Sequence, residues 1–512
     1  MTKYINMKKI FYYNIILLVL VSSISCTKDF DKINTNPNNI TQVSPDQLLP
    51  SALVSSFTYN LLRNRNFNNE LMQVTVSPSD ADGTVFRYDF RSTWADYLWN
   101  GLFVELNNFK DMYNNKESNN KSYKGISLIC QVWLFSILTD TYGDIPFSQA
   151  SSAKNELGHI MEPVFDRQKD VYLGMFKMLE EANTLLAANE PIIVKSDPVY
   201  NGNISGWRKL GNSMYLRLLL RVSGKSEVAD QCKAKIKEIA ETNQSNYPTF
   251  NAVQDAAILR WTGTAPYISP LSINVREQDF RMPGLATFFI RNLTDWNDPR
   301  IDINTYGKSG VNRWGIAQGP GGFAGINSGY NPGEPANKQS YFYSNTTPAN
   351  NLQTDPMTGQ IMNYAELNFI LAEAALKGWI SGSAENYYNK GAEASIKLWL
   401  PDWPKQGENI VTWLTNADIQ WFNSYSSDEK MELIHKQKYY ALFCNDLQQW
   451  FEYRRTGHPV LPKGPGLRNG GVMPARMTYP IYVQSTNPTN YKQAVQAQGN
   501  DVISTQVWWQ KP

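Results

Sequence analysis

Residues 123–138 are apolar on more than one helical face. Ile126, Ile129, Cys130, Trp133 and Ile137 recur at helical spacing, and a helix apolar on several sides is stable only with other helices packed around it. The stretch therefore predicts a central helix in a helical body.

The flanking sequence supplies the neighbours. A first helix is predicted over residues 50–71. A second opens at Thr93-Trp94-Ala95-Asp96, which has the form of a capping box, and carries Leu98, Leu102, Leu106 and Phe109 on one side. Further helical patterns cover residues 165–188, 207–222 and 228–240, giving antiparallel pairs. From about 247 to 354 the periodicity fades and Gly, Asn, Pro and aromatics rise, most clearly at 319–325, which predicts a loop-rich insert with one helix near 285–293. Helical order returns over residues 363–377, stops at Gly378 and resumes over 384–398. There Gly391 and Ala394 are small enough for two helices to cross closely, the character of a tetratricopeptide unit. A last long helix opens at the capping box Ser426-Ser427-Asp428-Glu429 and is predicted to run into the Asp446 to Arg455 segment. The tail from Pro459 is rich in Pro and Gly but closes on Trp508-Trp509, too aromatic to be left unpacked.

The front end sets the compartment. Lys8 and Lys9, the apolar run from Ile10 to Val21 and the small residues before Cys26 form a bacterial lipoprotein signal, so residues 1–25 are expected to be removed and Cys26 to carry lipid. An ordinary secretory signal with an incidental Cys26 is the alternative, and Met7 is a better placed start than Met1. The Asn-rich residues 26–39 read as a polar tether, and 40–512 as a single helical domain. No later apolar run is expected to span a membrane.

The balance of 48 Lys and Arg against 46 Asp and Glu provides no field to recruit nucleic acid. Cys130, Cys232 and Cys444 lie in helical patterns without CxxC spacing and are expected to be buried free thiols. His159, His435 and His458 are far apart in sequence and form no paired-ligand spacing, so no metal site or cofactor is expected.

Several motifs in order resemble one family. They are Tyr142-Gly143-Asp144-Ile145-Pro146-Phe147, Trp207-Arg208-Lys209-Leu210-Gly211-Asn212-Ser213 leading into Leu216 to Arg221, and Ala372 to Gly378. Gln437 to Phe443, Glu452 to Pro459, Pro474 to Pro480 and the closing Val507-Trp508-Trp509 complete the set. Together they are similar to the SusD/RagB group of nutrient-binding outer-membrane lipoproteins of the Bacteroidetes, on its SusD-like branch. The resemblance implies a mainly α fold, with tetratricopeptide-like helix pairs in a right-handed superhelical body and a loop-rich, ligand-facing insert. It also implies lipid anchorage facing the extracellular side, an oligosaccharide, peptide or glycopeptide ligand, a SusC-like TonB-dependent barrel transporter as partner, and no enzymatic role.

The paired charges in these motifs, Arg217 with Arg221 and Arg454-Arg455 beside Glu452, are expected to be structural. Two carboxylates, Asp140 and Asp144, have the form of a glycosidase pair, and capping of a helix end explains their turn better. A sugar binder needs Trp and Tyr faces with amides and charges nearby. Two patches offer them: Trp94, Tyr97, Trp99 and Asn100 with Asp82, Arg87 and Tyr88, and in the insert Trp314 and Tyr330 with Phe323, Tyr341 and Tyr343. The alternative is that Trp94 simply packs inward with Leu98 and Leu102. Surface hydrolase and protein-binding helical scaffold are the competing functions.

Overall fold

The computed structural model describes residues 43–153, 158–346, 350–405 and 407–511; the signal, Cys26 and the tether lie outside them. Helix α1, Pro45–Arg63, starts on a proline whose fixed φ suits a first turn and whose missing N–H costs nothing there. It continues through a π turn, Asn64–Asn68, to Leu71. Helix α2 is Trp94–Tyr113. Thr93 stands at its N-cap but already has helical angles (φ −62°, ψ −15°), so its hydroxyl caps nothing and the expected capping box is not formed.

Helix α3, Lys121–Tyr142, is the centre. Asn120 caps it by accepting from the Tyr123 N–H at 3.0 Å, and every residue except Lys121 and Lys124 is buried. Contrary to the sequence expectation, α3 is long and apolar enough to cross a bilayer, yet its whole apolar window lies inside the fold. Helices α2 and α4 (Gln168–Ala187) pack on it. Helix α5 (Ile204–Val222) packs on α4, and α6 (Ala229–Lys237) packs on α5.

In the insert, α7 (Thr287–Asp295) is the expected helix, and two short helical turns, Pro270–Ile273 and Glu277–Arg281, precede it. Two small antiparallel ladders tie the insert to the body: β1 (Thr75–Val76) with β3 (Gly284–Leu285), and β2 (Ala257–Leu259) with β4 (Gly359–Met362). Helices α8 (Tyr364–Leu376) and α9 (Ala384–Trp399) form a close pair. Gly391 permits it, since a Cβ there would meet the Phe369 ring at 2.7 Å.

Helix α10 (Ile410–Asn416) carries too short a pattern to stand out in sequence. Helix α11 (Ser427–Ala441) has the capping box: Ser426 Oγ accepts from the Glu429 N–H, and Glu429 accepts from the Ser426 N–H. The last helix is not continuous, however, and α12 (Gln448–Thr456) is a separate element. Cys444 (φ 68°) and Asp446 (φ 30°) leave the helical region. There the Asp446 carboxylate is satisfied by the Leu447 N–H, the Gln448 amide and Trp133 Nε1. The tail adds α13, Pro488–Gln498. The described residues from Ser44 onward pack as one unit around a continuous core, and Cys130, Cys232 and Cys444 are buried free thiols.

The motif arginines staple helices together. Arg217 of α5 holds Glu366 of α8 through two bonds of 2.6 Å and also reaches the Ile361 carbonyl. Arg455 of α12 grips Glu373 of α8 at 2.7 and 2.6 Å and Glu452 at 2.8 Å. Burial alone would raise the Glu373 and Glu452 carboxyls. Arg455 outweighs it, helped by His435 at Glu373 and by Lys438 at Glu452, and both carboxyls lie well below their ordinary range.

Candidate functional site

The fold separates the aromatic residues of α2 by face, because residues three or four apart share a side and neighbours do not. Trp94 and Tyr97 stand together, half-buried, with the Arg63 guanidinium 4.6 Å from one ring centre and 4.5 Å from the other. Trp99 and Phe103 stand on another face with centroids 4.9 Å apart. Trp99 is only 6% exposed. Phe165, Tyr142 and Tyr479 surround it, with Phe165 stacked at 6.0 Å.

Trp99 is the floor of a groove of about 170 Å³. Phe103, Phe165, Met161 and Tyr482 form its walls together with the exposed Thr486, and the buried Asn487 holds the lining by donating to the Pro163 carbonyl at 2.7 Å. Tyr482 is 42% exposed and Met161 69% exposed, and the Tyr482 hydroxyl donates to Asn100 Oδ1 on the exposed side of α2. The site is thus an apolar, largely aromatic trough with amide and hydroxyl groups beside it, built by α2, the segment before α4 and the segment before α13. Such a surface can stack against the C–H face of a ring while its polar groups take hydroxyls.

The other sequence candidates fall differently. Arg87 and Tyr330 join the two patches: Arg87 Nε donates to the Tyr330 carbonyl at 2.9 Å, and its guanidinium lies 4.7 Å from the Tyr330 ring and 4.6 Å from Phe86. Tyr330 stacks on Phe86 and is 8% exposed, so it fastens the insert to the loop before α2. Tyr88 is buried too, whereas Asp82 is exposed. Trp314 is fully buried, stacked on Phe289 with Arg300 over its ring, and has no face to offer a ligand. Phe323, Tyr341 and Tyr343 are half-buried in the insert.

The carboxylates weighed as a catalytic pair are committed elsewhere. Asp140 is buried and accepts from Tyr172 Oη, Trp509 Nε1 and Arg221. Asp144 accepts from Arg167 and from the Gln168 N–H, so it caps the start of α4, a helix distant in sequence, instead of the end of the helix its own turn follows. Gly143 (φ 88°) makes the turn possible, because any side chain there would collide with Gln498, whose amide oxygen accepts from the Asp144 N–H.

Two histidines that are distant in sequence are neighbours, with the His435 and His458 rings 6.2 Å apart. Glu373, His435 and Glu452 have ligand atoms within 4.8 Å of one another. Their carboxylate oxygens already accept from Arg455, Lys377, Lys438 and Arg221, so the cluster is built as an ion-pair network and does not suit a cation.

Paired helices, an irregular insert and an aromatic surface groove define a helical-repeat binding protein. The family model described as starch-binding associating with outer membrane (SusD-like) matches residues 37–480. The chain belongs to this SusD-like family, which is associated with the outer membrane. Among solved structures it is similar to a SusD homologue from Bacteroides fragilis, with 26% identity and a TM-score of 0.74 over 92% of this chain and all of that one. A structure described as a chitin-binding protein has 24% identity and a TM-score of 0.73, over 91% of this chain and 99% of that one. A chitin-binding SusD homologue from Flavobacterium johnsoniae shares 18% identity with a TM-score of 0.73, over 91% of this chain and 98% of that one, a likeness of fold. A search of curated proteins finds no match.

Proposed function

We propose that this protein captures oligosaccharide at the cell surface and delivers it to a SusC-like TonB-dependent barrel, held at the outer membrane by lipid on Cys26. The groove over Trp99 carries the reading. Its walls are aromatic and partly open to solvent, and the exposed Asn100 and Tyr482 place hydrogen-bonding groups beside them. Family membership supports the class of ligand, and the chitin-binding relatives make a β-linked N-acetylglucosamine polymer a sound first choice beside starch. Binding here is non-enzymatic, since both carboxylates that would have served a glycosidase are tied into the fold.

Detergent extraction of the native membrane with tagged protein tests the partner and the anchor together. A TonB-dependent barrel is expected to co-purify, and a Cys26→Ala protein is expected to fold, bind glycan and leave the membrane fraction. A glycan-binding protein that never brings down a barrel would remove the delivery step, and attachment of the Cys26→Ala protein would remove the lipid.

A further inference from the structure

A second basin lies between the insert and the loop after α9. It encloses about 360 Å³ and is walled by Asn297, Asp302, Tyr306, Lys405 and Glu408, with Pro299 and Thr305 between them. That volume falls within the roughly 300–1,000 Å³ of ligand pockets. No part of the Trp99 groove contributes to it.

The basin is held in shape from below. Asp298 and Arg300 form a fully buried ion pair at 2.6 Å, and Arg300 Nη1 also donates to Ser395 of α9 at 2.9 Å, which fixes the turn after α7 against that helix. Asp302 Oδ1 accepts from the Asn304 and Thr305 N–H groups at 2.8 and 3.0 Å. The two loops are sewn together across the rim. The Lys405 N–H donates to Tyr306 Oη at 3.0 Å, and its ammonium donates to the Thr305 carbonyl at 2.8 Å while lying 5.0 Å from the Tyr306 ring centre. An ammonium has three donors, so this contact leaves others for a ligand.

The lining is mixed. Two carboxylates accept, one ammonium and one amide donate, and a tyrosine ring gives an apolar wall. A dense alternation of hydroxyl donors and acceptors on a carbon ring satisfies all of these at once, whereas a free anion would face Asp302 and Glu408. The geometry points to this basin as a second saccharide-binding site, separate from the groove over Trp99, where another stretch of the same glycan, or a branch of it, is held. Two weak sites on one chain raise retention of a polymer through effective concentration. The choice of glycan rests on the function proposed above; the existence of a separate site does not.

Isothermal titration of the mature chain with maltohexaose and with chitohexaose tests it. The wild type is expected to show two classes of site for one of these sugars. Tyr306→Ala, and the isosteric Glu408→Gln that leaves packing unchanged, should each weaken one class at least tenfold and leave the other alone; Tyr482→Ala should do the reverse. If Tyr306→Ala and Glu408→Gln leave stoichiometry and affinities as in the wild type, the basin is not a site and the groove reading stands. If Tyr482→Ala binds as the wild type does while the basin variants do not, the basin stands and the groove reading falls. A wild type that binds neither sugar overturns both.

Discussion

Asp140 of α3 and Arg221 of α5 meet in the core, with Arg221 Nη1 2.8 Å from Asp140 Oδ2 and both side chains buried. The contact locks two helices of the body and absorbs one of the two carboxylates weighed as a glycosidase pair. Breaking a buried pair strands a charge, at a cost of about 3 kcal/mol. Asp140→Asn is therefore expected to lower stability by about that amount in urea unfolding, because Arg221 keeps Glu452 but loses its charged partner on α3. Reducing-sugar release from polysaccharide should be nil for both proteins.

Glu70 makes stability depend on pH. Burial raises its carboxyl from 4.5 to about 7, against the opposing hydrogen bonds from Ser77 and the Phe86 N–H. A raised folded-state pKa means that the native chain holds this proton more tightly than the unfolded one. The advantage is complete below pH 4.5 and is lost as pH rises through 7. The span is worth about 3 kcal/mol at 1.36 kcal/mol per unit. Denaturant midpoints from pH 5 to 8 should fall less steeply for Glu70→Gln than for the wild type.

His458 and Glu432 give the opposite edges of one window. The hydrogen bond that the His458 ring donates to Glu432 raises the imidazole above its ordinary value. Burial would raise Glu432, but His458 and Lys436 prevail and hold it low. The histidine's contribution is full below the unfolded imidazole value and is lost as pH rises through the folded one. The carboxylate's is full above its unfolded value and is lost as pH falls through the folded one. The thermal midpoint difference between wild type and Glu432→Gln should therefore be largest near pH 5 to 6 and shrink toward pH 9.

Much of the helical body was legible, because a 3.6-residue apolar period is a local signal. It placed α3 at the centre and found the α8 and α9 pair. It failed where tertiary partners override local pattern. Thr93 is a good capping residue whose backbone is helical, and the run through Tyr440 into Gln448 is broken because Asp446 finds partners that a continuous helix would not give it. The proposed groove was half legible. Trp99 and Asn100 were named from their clustering, but Phe165, Met161 and Tyr482 come from segments distant in sequence and carry no local sign of convergence. Trp314 and Tyr330 looked available because loop-rich sequence suggests exposure. The insert instead folds them under, Trp314 on Phe289 and Tyr330 on Phe86.

Affinity electrophoresis of the mature protein in gels carrying soluble starch or glycol chitin tests glycan capture at the Trp99 groove most directly. Tyr482 is exposed and Phe103 half-buried, so Tyr482→Ala and Phe103→Ala remove groove walls while the Trp99 floor stays packed. The wild type is expected to be retarded by one of the two polymers, and each variant to lose most of that retardation while keeping the wild-type thermal midpoint within a few degrees. Retardation undiminished in both variants would contradict the account.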